Sequence, residues 1–530
     1  MRVLRRTLGT LLALGAAVSC ASSPAADARP GDGRPAALAP YAQLLPAPAS
    51  ARAAGPGYAV GPGTVIRTGP GGGEEVRRVG ELLAEQLRAS SGLPLPVVDG
   101  AAGDGIRLRL DEGAGGTRAT GAEGYRLESG PGGVTLSART PAGLFHAGQT
   151  LSQLLPVAGP GTVPGGEISD APRFAYRGAM LDIARHHFTA EQVKRYVDQL
   201  ARYKVNTLHL HLTDDQGWRI AIDSWPRLAE YGGGSEVGGG PGGYWTKDQY
   251  RDLVAYAGER YVDVVPEIDM PGHVNAAQAS YPELNCDGKA RERYTGTKVG
   301  FSSLCVASER TYEFVDDVLG ELAELTPGRY LHIGGDEAHS TPAADYAAFM
   351  DRAQQVVARH GKTVVAWHQL ATARPAPGAV LQYWGHDKTA ASEKAAVAAA
   401  AKAGHPLVLS PADRLYLDMK YDAATRPGLA WAGFVPVRRA YDWDPGTYLA
   451  AAGVPESAVL GVEAPLWTET IATRADLELM AFPRVLGLAE LGWSRGPRDW
   501  AEYGRRVAAQ GPRLDAQHIA YYRAPDVPWT

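Results

Sequence analysis

The chain has 530 residues, 45% of them hydrophobic, and its 58 acidic against 53 basic side chains leave a formal charge of -5. That length holds about two or three domains of ordinary size, and the hydrophobic fraction is that of a folded globular protein. With charge so nearly balanced, and no basic block beyond the extreme N-terminus, nucleic acid is excluded as a natural ligand.

The start of the chain places Arg2, Arg5 and Arg6 before an apolar run from Leu11 to Val18, followed by small residues and a Pro/Ala/Gly/Asp stretch to about Pro40. This is the layout of a cleaved export signal, too short to span a bilayer, so residues 1–40 read as signal and linker and the protein as secreted. Cys20 closes Ala17-Val18-Ser19-Cys20, which loosely resembles a lipoprotein cleavage box with Ala17 where Leu is usual. Lipid attachment through Cys20 and free secretion both stay open, and Arg5-Arg6 also permits a twin-arginine route. Beyond the signal only Cys286 and Cys305 remain, and in an exported protein two thiols so close in sequence read as a disulfide rather than a metal pair.

Residues 41–165 read as a small α+β domain. Glu74 to Leu87 places Val76, Val79, Leu83 and Leu87 on one helical face, and Gly124 to Leu127 pairs with Val134 to Ala138 around Gly130-Pro131-Gly132-Gly133. A second helix follows from Ala142 to Leu155, and Pro156 to Asp170, rich in Pro and Gly, reads as a linker. From 170 to 505, short apolar runs alternate with helical patterns: Gly178 to Ile183, Val205 to His211, Val262 to Ile268, Tyr330 to Ile333, Thr363 to Trp367, Val380 to Trp384, Leu407 to Leu409 and Val459 to Val462. Thr189 with Gln192 forms a capping box for the first helix, whose buried stripe is Val193, Val197 and Leu200. Eight strands of this kind predict an α/β fold, a (β/α)8 TIM barrel, with residues 506–530 as a C-terminal helix and tail packed on it.

The chemically capable residues fall just after these strands. Arg185 follows the first, Asp214 and Asp215 the second, Asp269 and His273 the third, Asp336 and Glu337 the fourth. Trp367 ends the fifth strand and Trp384 the sixth, Tyr416 and Asp418 follow the seventh, and Trp467 and Glu469 the eighth. In a barrel these positions converge on one mouth. Asp336 and Glu337 are adjacent, so they cannot flank a glycosidic bond from opposite sides as paired glycosidase carboxylates do. Neighbouring side chains diverge, and if one is the acid, the other supports a nucleophile that it does not itself supply.

Arg185-His186-His187-Phe188, His209 through Asp215, Pro266 through His273 and His332-Ile333-Gly334-Gly335-Asp336-Glu337 resemble, in order, the signatures of glycoside hydrolase family 20. Glu123 through Leu127 and Gly143 through Leu151 are similar to that family's N-terminal domain, and His186-His187 stands where an aromatic second residue would be expected. The resemblance implies a secreted bacterial, actinobacterial-like β-N-acetylhexosaminidase. Such an enzyme removes terminal non-reducing GlcNAc or GalNAc with retention, through an oxazolinium formed by the substrate's own acetamide, and needs no cofactor or metal. It would act on small or oligosaccharide substrates, chitin fragments among them.

By the same resemblance Asp336 accepts the acetamide N–H, Tyr416 donates to its carbonyl oxygen, and Glu337 is general acid and then base. Asp336 is expected ionised and Glu337 protonated at the start, with Asp214 and His273 forming a relay that tunes Glu337. Trp367, Trp384 and Trp467 would wall the acetamide and sugar face, Arg185, Asp418 and Glu469 would bind hydroxyls, and Val299 would contact an outer sugar. Two other readings remain: a metal-dependent barrel hydrolase using His209, His211, His332, Asp214 and His273, and a glycan-binding barrel without turnover.

Overall fold

A computed structural model describes residues 40–69, 72–100, 102–111 and 121–529. The expected export signal, with Cys20, lies outside the described residues. Among the described residues no helix is long and apolar enough to cross a membrane.

The small domain is a sheet with two helices. Its elements are β1 (Ser50–Ala53), β2 (Tyr58–Val60), β3 (Ile66–Thr68), α1 (Gly73–Ser91), β4 (Val97–Asp99), β5 (Ile106–Leu110), β6 (Tyr125–Gly130), β7 (Gly133–Ala138), α2 (Pro141–Leu154), β8 (Gly161–Val163) and β9 (Gly166–Asp170). Seven strands run in the order β1-β9-β6-β7-β5-β3-β4, and β2 pairs separately with β8. α1 buries Val76, Val79, Leu83 and Leu87, the stripe its spacing predicts. In the β6–β7 hairpin Gly130 lies opposite Gly133, which leaves Pro131 and Gly132 to make the turn. The expected linker from Pro156 to Asp170 is instead part of this domain. β9 inserts between β1 and β6, and its period of two buries Ile168 and Asp170 on one face.

The barrel strands are β10 (Tyr176–Asp182), β11 (Thr207–His211), β14 (Asp263–Glu267), β15 (Tyr330–His332), β16 (Thr363–Trp367), β17 (Val380–Tyr383), β18 (Leu407–Leu409) and β19 (Val459–Leu466). They are parallel and close in that order, with β19 paired to β10. The short pair β12 (Thr213–Asp214) and β13 (Gly217–Trp218) extends from the mouth end of β11. Helix α3 (Ala190–Ala201) begins with the Thr189–Gln192 capping box, both halves of which form. Along β11, Leu208 and Leu210 join the main apolar core, while His209 and His211 alternate with them and hydrogen-bond to Glu267. A small apolar layer of Tyr176, Val365, Val380 and Val408 fills the barrel's lower end.

The small domain docks at that lower end, opposite the mouth. Arg177 of β10 and His146 of α2 both engage Glu123, and Lys204, which precedes β11, donates to Asp170 Oδ2 at 3.1 Å. Asp170 also accepts from Tyr125 Oη at 2.7 Å and Trp493 Nε1 at 2.9 Å. α2 is buried along almost its whole length because the sheet covers one side and the barrel the other. Toward the C-terminus, α4 (Arg484–Trp493) leads to α5 (Trp500–Ala516), which starts before the expected residue 506 because Asp499 caps it by accepting from Glu502 N at 2.9 Å. Arg513 on α5 ties it to the small domain, donating to the carbonyls of Ser152, Gln153 and Leu155. Cys286 and Cys305 are bonded, with Cα atoms 4.8 Å apart.

Lys204 and Asp170 are each 1% exposed, so neither charge has water to fall back on. Asp170→Ala is expected to cost about 3–5 kcal/mol in urea unfolding, the range for stranding one member of a buried ion pair. A loss below about 1 kcal/mol would show that the clamp contributes little.

Candidate active site

The turn after β15 gives the two adjacent carboxylates different surroundings. Gly334 and Gly335 take φ of 63° and 100°, and a Cβ on Gly334 would collide with Asp269 Oδ1, which accepts from Gly335 N at 3.0 Å. Asp336 is buried, and its Oδ1 has no hydrogen-bond partner among the described residues. Glu337 follows at φ 45°, a left-handed conformation unusual for a residue with a side chain, and it is more open to the mouth. His273 facing it is also left-handed, at φ 56°. Strain of this kind concentrates where a fold holds reacting groups in place.

His273 Nε2 lies 3.5 Å from Glu337 Oε2 and 3.9 Å from Asp336 Oδ2, and its Nδ1 is 3.2 Å from Asp214 Oδ1. The other oxygen of Asp214 meets His211 Nε2 and Arg185 Nη2, both at 2.8 Å. The groups of the expected relay thus lie next to one another, with His273 Nε2 making no hydrogen bond among the described residues. Burial opposes ionisation of Asp214, but Arg185 and His273 overrule it and hold its carboxyl far below the usual range. Burial likewise opposes the His273 imidazolium, and Asp214, Asp269 and Asp336 together raise it well above the ordinary histidine range.

The protein's own groups bias the adjacent pair against the expected order of ionisation. Burial, reinforced by the charge of Glu337, raises Asp336. Burial acts on Glu337 in the same direction, but the nearby His273 outweighs it and lowers that carboxyl. The sequence could not show this, because the deciding cation comes from another strand's loop.

A cavity of about 470 Å³ opens above these groups. Arg185, His273, Asp336, Glu337, Trp384, Tyr416, Asp418, Trp467, Glu469 and Val299 line it, as expected from the sequence. Asp214 stands behind His273 rather than on the wall. Trp367 does not reach the wall either: it is fully buried, donates from Nε1 to Glu267 Oε1 at 2.8 Å and lies 5.7 Å behind the ring of Trp467. It backs the cavity wall instead of forming it. Thr297, His386, Leu429 and Trp431 also line the cavity. Of these, Trp431 was the most visible in the sequence, being an aromatic in the same loop as Tyr416 and Asp418; it is 51% exposed.

Both oxygens of Asp418 and Glu469 Oε2 are buried without partners among the described residues, which suits them to hydroxyl groups. Burial, and then their mutual repulsion, raises Asp418 well above the usual carboxylate range. Burial and the nearby Asp336 keep the Tyr416 hydroxyl protonated, a donor at neutral pH. Acid and imidazole groups do gather closely enough for a metal, as in His209, Glu267 and His332. Within that group both nitrogens of His209 already face carboxylate oxygens, at 2.9 and 3.1 Å, in the geometry of hydrogen bonds.

Residues 174–347 and 339–496 match the model of the glycosyl hydrolase family 20 catalytic domain, and residues 41–171 match that family's domain 2. A β-N-acetylhexosaminidase of Cellulomonas fimi is 43% identical over 460 residues, covering 86% of this chain and 91% of its own. The family 20 β-N-acetylhexosaminidase of Streptomyces coelicolor A3(2) superposes with a TM-score of 0.89 at 59% identity, covering 93% of this chain and 99% of that one. The Streptomyces plicatus N-acetyl-β-hexosaminidase in complex with Thio-NAglucal gives 0.90 at 60%, covering 94% and 99%.

Asp214→Asn removes the carboxylate nearest His273 Nδ1. The His273 titration, followed by ¹H–¹⁵N spectra, is expected to fall by about one to three pH units. An unmoved titration would show that Asp214 does not govern the ring.

Proposed function

The chain belongs to glycoside hydrolase family 20 and is a β-N-acetylhexosaminidase, and from that premise we propose how its own residues divide the work. The enzyme hydrolyses terminal non-reducing N-acetyl-β-D-hexosamine residues with retention, the substrate's acetamide acting as nucleophile. The observation that carries the assignment is Asp336 Oδ1, a buried carboxylate oxygen with no partner among the described residues, beside the Tyr416 hydroxyl and one residue from Glu337.

In the first step the acetamide oxygen attacks the anomeric carbon, the bond to the leaving oxygen breaks, and Glu337 gives that oxygen its proton. Asp336 accepts the acetamide N–H and balances the charge of the oxazolinium, while Tyr416 orients the carbonyl. In the second step Glu337, now a carboxylate, takes a proton from water as its oxygen attacks the anomeric carbon and the oxazolinium opens. The initial ionisation order is no obstacle. A seated sugar supplies the donor Asp336 Oδ1 lacks, which favours its ionised form, and displaces solvent from Glu337, which raises that carboxyl. Arg185, Asp418 and Glu469 bind hydroxyls at the closed end, which supports action on chain termini. Trp384 and Trp467 form the sugar wall.

We further propose that the enzyme is exported and meets chitin-like fragments outside the cell. The Cys286–Cys305 bond and the apolar N-terminal run support this, and a lipid anchor at Cys20 is the membrane-bound variant of the same reading.

Asp336→Ala is expected to lower kcat on acetamido sugars by about a hundredfold or more, as loss of an aligned charge-stabilising group does elsewhere. Near-normal turnover would remove the acetamide from the mechanism. Glu337→Gln should slow substrates with poor leaving groups by about 10²–10⁴ while sparing the first step on activated aryl glycosides. Equal losses on both would contradict acid catalysis by Glu337.

A further inference from the structure

The relay does not stop at Asp214. His211 is fully buried and lies between two carboxylates: Nε2 is 2.8 Å from Asp214 Oδ2, and Nδ1 is 2.5 Å from Glu267 Oε2. An ionised carboxylate only accepts hydrogen bonds, so with Glu267 and Asp214 both ionised the two nitrogens of His211 both donate and the ring is an imidazolium. Glu267 sits at the middle of the barrel and is held in turn by His209 Nε2 at 3.1 Å, by His332 and by Trp367 Nε1 at 2.8 Å. His209 repeats the pattern with its other nitrogen, 2.9 Å from Glu463 Oε1. Alternating acids and imidazoles thus run from Glu463 through the barrel axis to the acid–base at the mouth.

From this juxtaposition we propose that His211 is a positioning residue for the catalytic acid–base: a permanently charged imidazole, held by Glu267, that keeps Asp214 ionised and aimed at His273. The inference rests on Glu337 being the acid–base. With His211 and Arg185 both on Oδ2 of Asp214, Oδ1 is left for His273 Nδ1 and the Asp215 backbone N–H. His273 is thereby fixed with Nδ1 toward Asp214 and Nε2 toward Glu337, so that its charged ring faces the carboxylate that Glu337 becomes when it gives up its proton.

The charged groups facing His211 are Glu267, Asp214 and Asp269, and the ring of Trp467 closes the remaining side at 4.9 Å. Burial works against its charge, and Glu267 with Asp214 overrules it, holding the ring well above the usual histidine range. His209 is likewise pushed up to about 9, burial again being outweighed by Glu463 and Glu267. His332 is lowered, burial dominating, so the three imidazoles around Glu267 are not equivalent. These directions agree with the geometry, in which His211 is wedged between two buried carboxylates.

The test is His211→Gln, which keeps a polar side chain of similar reach but removes the charge. Loss of a buried cation raises the pKa of nearby acids, so the alkaline limb of the kcat/KM profile, set by Glu337, should move up by about half to one pH unit. A lower kcat with both limbs in place would reduce His211 to a structural role and overturn the proposal. Should the variant not fold, the wild-type enzyme decides: at pH 8 the His211 ring should show two protonated nitrogens in ¹⁵N spectra, and a neutral ring there overturns the proposal. Failure of the underlying assignment is distinguishable, since Glu337→Gln in otherwise native protein would then leave the alkaline limb unmoved.

Discussion

A carboxylate taken out of water stays ionised only if a cation or several donors replace the water, and the mouth of this barrel is organised around that requirement. Asp214, with Arg185, His211 and His273 around it, is strongly ionised. Asp336, one residue from Glu337, has an oxygen that nothing among the described residues satisfies. The difference in supply is the difference in role. The fully satisfied acid is part of the scaffold, and the unsatisfied one is addressed to the substrate.

The backbone makes that division hold. Two glycines and a left-handed Glu337 turn the chain so that neighbouring side chains enter different environments, one sealed against Asp269 and the other open beneath His273. At the opposite end of the barrel the small domain is fastened by the same rule: Lys204 is buried only because Asp170 is buried with it, and Arg177 because Glu123 reaches it. Charge pairing therefore fixes both ends of β10 and β11, and Arg185 and Asp214 hang from the mouth ends of those strands.

Much of this was legible in the sequence. The barrel strands stand out as short apolar runs, and motif order alone put Arg185, Asp214, His273, Asp336 and Tyr416 at one mouth. What the sequence hid were properties set by tertiary partners. A tryptophan ending a strand looks the same whether its ring meets the cavity, as Trp384 does, or lies beneath it, as Trp367 does. The ionisation order of Asp336 and Glu337 depends on which of them His273 favours, and no local pattern encodes that. β9 was obscured because its glycines read as linker, whereas its pairing with both β1 and β6 is a long-range fact. Trp431 sits in a long loop without periodicity, where only its sharing that loop with Tyr416 and Asp418 pointed to the mouth.

The central claim is that closeness of Asp336 and Glu337 leaves the nucleophile to the substrate. The most direct measurement is kcat/KM for one aryl glycoside whose acetamide methyl carries zero, one, two or three fluorine atoms. Fluorine withdraws electrons from the carbonyl oxygen while leaving the leaving group unchanged, so the rate should fall steeply with each substitution. A flat series would mean that the oxygen does not attack, and that an enzyme nucleophile has been overlooked.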